Sequence, residues 1–164
     1  AYELKECGWS SDVCSSDLLS TLAASVARGR PLQVLRFLEV FSKLQGEQWF
    51  LDLVTAAVRV RNILSKSEER STSVDETLFS KDAETRLYAE IVRINPLVED
   101  ALAARNWKAL AAHLSELSPF VTSFFDDVLV MDPDERVKCN RLHLLVLCNA
   151  LFLEVGDLGI LKGA

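Results

Sequence analysis

An all-α fold, a bundle of six to seven helices, is what the sequence predicts, and three observations carry that expectation. From residue 19 onward apolar residues recur at spacings of three and four, the period of a helix with one buried face. Breakers are scarce: six Gly and four Pro in 164 residues leave long uninterrupted runs. No alternation of apolar and polar residues persists far enough to mark a strand.

Taken in order, a first helix is expected over residues 18–27, stopped at Arg28-Gly29-Arg30, where glycine supplies the terminus. Pro31 fits a first-turn position and opens a second helix to residue 44, with Leu35, Leu38 and Phe41 on one side. After Gly46 a third helix, residues 47–67, places Trp49, Leu53, Ala56, Val60 and Ile63 on one stripe. A polar loop follows at 67–73. Asp75 or Ser80 can cap a helix at 81–95, which Pro96 is expected to kink or end, because proline lacks the backbone donor. A further helical piece runs to residue 105. Asn106 reads as a cap for a helix through 117, and Ser118-Pro119 starts the next, bearing Phe120, Phe124 and Phe125. Asp132-Pro133-Asp134-Glu135 is the strongest start signal: a cap, a proline, then acids at the positive helix end. The last helix is expected to reach residue 155.

Composition narrows the function classes. Apolar residues make up 49% and charged residues 26%, enough apolar chain for a real core. No stretch approaches the roughly 18 apolar residues of a membrane span, and AYELKECGWS lacks the layout of a signal peptide. A cytoplasmic protein with no membrane partner is expected. The net charge of −6 is unevenly spread. Residues 19–70 carry eight basic and five acidic residues, the only segment with a positive balance. An acidic chain of this kind is no indiscriminate DNA or RNA binder, but a local positive site remains open to it. Cys7, Cys14, Cys139 and Cys148 form no CxxC pair and have no histidine at ligand spacing, so no metal site is expected.

Residues 10–18, SSDVCSSDL, fit nothing around them, and Asp12–Leu18 are similar to an in-frame translation of a sequencing adapter. Residues 1–18 are therefore expected to be a non-native, adapter-derived or disordered segment, and residues 19–164 the helical domain.

Three segments resemble the carboxy-terminal anticodon-binding domain of bacterial glycyl-tRNA synthetase beta subunits, in the order found there. They are Arg59-Val60-Arg61-Asn62-Ile63-Leu64 with Val74-Asp75-Glu76-Thr77-Leu78-Phe79, then Phe124-Phe125-Asp126-Asp127-Val128-Leu129-Val130-Met131, then Asn140-Arg141-Leu142-His143-Leu144-Leu145 preceded by Arg136. Val58 stands where the family usually has Lys, which removes one expected cation. The tail Leu158-Gly159-Ile160 also resembles the related arginyl-type domain, of the same helical class. The resemblance implies an anticodon-binding helical bundle that holds the stem-loop of glycine tRNA. It also implies an alpha subunit and the rest of the beta subunit as partners. ATP and Mg would be used in the alpha subunit, with no cofactor and no catalytic residue in this chain.

On their own terms, Arg59, Asn62 and Lys66 fall opposite the Trp49–Ile63 stripe, with Arg61 on a flank. Cations suit phosphate positioning and an amide can meet a base edge or ribose; the plainer reading of such a face is solvated surface. On the last helix Val137, Arg141, Leu144, Cys148, Leu151 and Val155 share one stripe. A guanidinium in that seam must be paired, and Asp126 and Asp127 are the expected partners. Arg136, Asn140 and His143 are expected on the exposed side, facing RNA. Phe120, Phe124 and Phe125 could stack on bases but read better as core. The competing function is a helical docking domain that never touches RNA.

Overall fold

The computed structural model describes residues 39–41, 43, 44, 46–67, 73–156 and 158. Segment 1–18 and the helix expected at 18–27 lie outside them, as does most of the helix expected at 31–44. The described end of the latter is helical and carries Phe41 and Leu44 into the core. Five α-helices and one 3-10 turn follow, with no strand among the described residues. They are α1 (Gln48–Leu64), the turn Glu76–Leu78, α2 (Asp82–Ala103), α3 (Trp107–Ser115), α4 (Leu117–Asp127) and α5 (Glu135–Leu153).

α1 forms because its apolar residues fall three and four apart. Leu53, Ala56 and Val60 are buried as expected, and Phe50, Val54 and Ala57 widen the stripe so that α1 packs against α3, α4 and α5. Trp49 and Ile63, at the ends of the stripe, are only half-buried.

α2 runs unbroken through Pro96, so the proline does not end the helix. Proline inside a helix costs about 3 kcal/mol. Leu87, Ile91, Ile94, Val98 and Ala101 are all buried, so the packed stripe continues on both sides of the proline. Each of the four larger side chains is worth roughly 1.5–3 kcal/mol. Pro96 itself faces solvent, where water can satisfy the carbonyl that loses its donor.

α2 ends in a reciprocal pair of backbone bonds: Arg105 N–H donates to Leu102 O at 3.0 Å and Asn106 N–H to Ala101 O at 2.9 Å. Arg105 takes the left-handed φ of 54° that this ending requires. Asn106 then caps α3, its Oδ1 accepting the Ala109 N–H at 3.1 Å. Only Glu116 separates α3 from α4, so the break falls before Ser118 and not at it. Pro119 thereby sits in the first turn of α4, where no backbone donor is needed.

α5 is the most enclosed helix. The single stripe expected for it is too narrow, because Asn140, Leu142, Leu145 and Phe152 are buried alongside Arg141, Leu144, Cys148 and Leu151. α1, α2 and the 3-10 turn all pack on it. Its start lies two residues later than the first acid of the signal: Asp134 is the cap, accepting Arg136 N–H at 2.9 Å, while Asp132 accepts Asp134 N–H at 2.9 Å. Burial pushes the Cys148 thiol up, so it stays protonated and inert.

Arg141 is 4% exposed and is paired, but not with Asp126 or Asp127. Its Nε donates to Glu84 Oε1 at 2.9 Å, Nη1 to Asp132 Oδ2 at 2.7 Å and to Leu129 O at 2.9 Å, and Nη2 to Ser80 Oγ at 2.9 Å. Asp126 instead faces Arg59, and both it and Asp127 are exposed. Glu84, fully buried in the first turn of α2, spends its other oxygen on the N–H groups of Ser80 and Lys81 at 2.9 and 2.8 Å. One guanidinium thus ties the entry to α2 and the loop between α4 and α5 to the central helix.

Burial alone would raise the Glu84 carboxyl, yet Arg141 and the two N–H groups outweigh it and hold the carboxyl below its ordinary value of 4.5. The Asp134 N–H lowers Asp132 most, from 3.8; burial opposes it, and Arg141 adds to the lowering. Arg141→Ala is expected to destabilise the fold by roughly 3–5 kcal/mol, because two carboxylates lose their cation. A denaturant midpoint unchanged from wild type would contradict this. The lowered carboxyls stabilise the fold fully above their ordinary values and lose that contribution as pH falls through the folded ones. Stability should therefore fall below about pH 4.5. Glu84→Gln should flatten that acid limb, read from thermal melts between neutral and acid pH.

Candidate nucleic-acid interface

The C-terminal end of α1 carries the sequence-predicted cations and amide, with Arg59 facing α4 and Arg61 facing α5. Arg59 reaches across to α4: its Nη2 lies 3.8 Å from Asp126 Oδ1 and its guanidinium 4.8 Å from the centre of the Phe125 ring. A cation over an aromatic face at an accessible site is worth about 0.5–1 kcal/mol. Phe125 is accordingly a half-buried platform, whereas Phe124 is fully buried and Phe120 packs at the edge of the core.

The ground beside Arg59 is acidic. Asp52 and Thr55 of α1 with Ser118, Thr122, Ser123, Asp126 and Asp127 of α4 line a groove of about 570 Å³. Three carboxylates there oppose a phosphate. Arg59 is therefore set against the α1–α4 seam, beside that acidic ground.

Arg61, Asn62 and Lys66 are exposed. α1 ends without a glycine: Ser65 N–H bonds Arg61 O at 2.9 Å, and Ser65 Oγ donates to Asn62 O at 3.0 Å. This keeps the last carbonyls satisfied while Lys66 projects just beyond the helix. Arg61 turns toward α5, where it lines a cleft with Asn149 and Phe152. Sequence reasoning missed Asn149; its only signal was a polar residue in an otherwise apolar run.

On α5, Arg136 is exposed in the first turn and His143 is half-buried two turns later. Asn140 is not on the exposed side: it is 3% exposed. Its amide clamps the backbone of Asp75, Oδ1 accepting the Asp75 N–H at 2.7 Å and Nδ2 donating to Asp75 O at 2.9 Å. An expected RNA contact is thus a structural one, because α5 is covered on that side by the 3-10 segment. The Asp75 carboxylate is free to turn outward and cap that segment, accepting Thr77 N–H at 3.0 Å and Thr77 Oγ1 at 2.6 Å. Those bonds, with a smaller effect from Arg136, hold the Asp75 carboxyl below its usual range.

Residues 53–158 match the family model described as the DALR anticodon binding domain. The chain belongs to that family. It is also similar to proteins named glycine–tRNA ligase beta subunit. It is 40% identical over 111 residues to the one from Acinetobacter baumannii, covering 68% of this chain and 16% of that protein. Identity is 36% over 135 residues to that of Alteromonas mediterranea and 37% over 134 residues to that of Chromohalobacter salexigens. These cover 80% and 81% of this chain and 20% of each relative. The chain thus spans no more than a fifth of the length of these relatives.

In this DALR domain no described helix is long and apolar enough to cross a membrane, and no described cluster of His, Cys, Asp or Glu could hold a metal ion. A second ion network, away from α1, ties α2 to the α3–α4 corner. Arg93 bonds both Glu90 and Glu116, and Glu116 also meets His113 Nδ1 at 3.1 Å. It secures packing, since all four residues serve one another. Asn140→Ala is expected to cost about 1–3 kcal/mol, the penalty for stranding the Asp75 backbone groups. Amide hydrogen exchange should speed at Asp75 and Thr77 first. Unchanged exchange there would show that the clamp does not hold the segment.

Proposed function

We propose that this domain holds the anticodon stem-loop of glycine tRNA as part of a glycine–tRNA ligase beta subunit in the cytoplasm. The alpha subunit would then use ATP and Mg to charge the acceptor end. The match to the DALR anticodon binding domain carries this reading, and the similarity to glycine–tRNA ligase beta subunits supports glycine over arginine. The exposed end of α1 fits it chemically. Lys66 suits a phosphate, while Arg61 and Asn62 can meet a phosphate, a ribose or a base edge in an unpaired loop. No residue of this chain takes a catalytic role in the proposal; the domain selects by binding.

A second reading, protein docking, draws on the loop between α4 and α5. Leu129 and Met131 are 67% and 43% exposed there, amid Asp126, Asp127, Asp132 and Asp134. Such ground repels phosphate and would suit another part of the synthetase. The two readings use different surfaces and are compatible.

Binding of glycine tRNA to the chain should weaken steeply with salt. Lys66→Ala should lower the log–log salt slope by about one while leaving the melting temperature nearly unchanged. Arg59→Ala should leave the slope as it was, because Asp126 already engages that cation. A wild-type chain that fails to bind glycine tRNA at low salt would leave docking as the function.

A further inference from the structure

Val128 ends α4 with extended backbone, and from it burial alternates along the chain. Val128 and Val130 are 5% and 4% exposed, whereas Leu129 and Met131 are 67% and 43% exposed. The backbone between them is fastened from beneath. Val128 N–H donates to Phe124 O at 2.9 Å, and Leu129 O accepts Arg141 Nη1 at 2.9 Å. Two large apolar side chains are thus held toward solvent by an anchored segment. The other exposed large apolar residues, Leu51, Val92 and Leu153, stand one each on α1, α2 and α5.

Acid flanks the pair on both sides, with Asp126 and Asp127 before it and Asp132 and Asp134 after it. Asp126 and Asp127 also line the α1–α4 groove of about 570 Å³, whose third carboxylate is Asp52. Arg59 faces Asp126 and the buried Arg141 holds Asp132. Among the described residues no cation pairs with Asp52, Asp127 or Asp134. Ser118, 6% exposed, lines the same groove, and its buried hydroxyl oxygen has no hydrogen-bond partner. The domain's own polar groups therefore do not close this groove.

We infer that this surface docks a basic peptide segment of polypeptide outside this domain, an inference that rests on the docking reading above. An apolar side chain of that segment seats on Leu129 and Met131, and its lysines or arginines reach the acidic groove. Charge decides among occupants. RNA and an anionic membrane surface meet these carboxylates with like charge, and a second copy carries the same net charge of −6. A bare metal ion is a poor fit, because no described group of three His, Cys, Asp or Glu could hold one. A lysine or arginine lays its apolar stem along such a surface while its charged head stays among carboxylates. Met131 adapts its shape to the partner, and the fastened backbone lowers the ordering cost of binding.

The test uses the full 164-residue chain and three short labelled peptides, built from lysine and leucine, lysine and serine, or glutamate and leucine. Wild type should bind the lysine–leucine peptide at least about tenfold more tightly than either other peptide, the scale of a single anchor. Leu129→Ser with Met131→Ser should erase the advantage over the lysine–serine peptide. That variant should keep the wild-type melting temperature, since both side chains are exposed, and should bind glycine tRNA as wild type does. Asp126→Asn with Asp127→Asn should erase the advantage over the glutamate–leucine peptide and flatten the salt dependence. A lysine–leucine preference that survives both variants overturns the inference. Preference for the glutamate–leucine peptide, removed by Leu129→Ser with Met131→Ser, overturns the basic partner and leaves docking standing. Self-association abolished by the same two serines makes a second copy the occupant and likewise overturns it. If binding of no peptide responds to either variant, this surface is no docking site and both readings fall.

Discussion

The buried ion pair between Arg141 and Glu84 is the constraint on which the arrangement of this domain depends. Two charges removed from water cost several kcal/mol each before they attract one another, so the pair survives only because its remaining valences are filled. Ser80, Lys81, Leu129 and Asp132 fill them. The consequence is geometric more than energetic. The two loops at that end, one leading into α2 and one out of α4, are fastened to a single side chain of α5. Asn140, the preceding residue, fastens the Asp75 backbone in the same way. Neighbouring residues on one helix therefore fix most of the irregular backbone.

That economy explains which residues could be read from the sequence. Arg141 stood out as a cation in an apolar seam, and a need for partners followed from charge alone. The partners did not. Glu84 lies 57 residues away and Asp132 nine, and nothing in a helical wheel ranks them above Asp126 or Asp127. A signal for Glu84 existed: it follows Ser80-Lys81 at the spacing at which an acid bonds back to the N–H groups of a helix entry. Asn140 misled for a related reason. Its apolar spacing marks one stripe on α5, but the helix is packed by α1, α2 and the 3-10 turn, and a residue off the stripe is then still inside. Helix identity was far more legible, because α1, α3 and α5 carry periodic apolar residues and the latter two also carry polar caps. Pro96 shows the limit of local rules, since a stripe buried on both sides of it outweighs one missing bond.

The candidate interface was legible in type but not in grouping. Arg59, Arg61, Asn62 and Lys66 were all readable as polar groups on α1, yet a helix has more than one outer flank. Arg59 turns to α4 and meets Asp126 and Phe125; Arg61 turns to α5 and meets the Asn149 cleft. The difference of two residues is a rotation of about 200°, set by 3.6 residues per turn. No count of charge along the chain can show that separation.

The same separation is what would let an acidic chain bind RNA as proposed. Net charge governs attraction at long range, where salt screens it within about 8–10 Å. Contact is decided locally, by which carboxylates lie within that distance of the phosphates. Here Asp52, Asp126 and Asp127 gather along the α1–α4 groove, and Asp132 and Asp134 at the start of α5 are drawn into capping and into Arg141. Acid is thereby concentrated on ground that RNA would avoid. The end of α1 keeps Arg61 and Lys66 clear of that groove, with an amide on each side of Arg61 in Asn62 and Asn149. Among the described residues, an RNA approaching the domain would find the end of α1 permissive and the α1–α4 groove forbidding. Orientation would then follow from repulsion as much as from attraction, which is what the proposed hold on a single RNA loop would need.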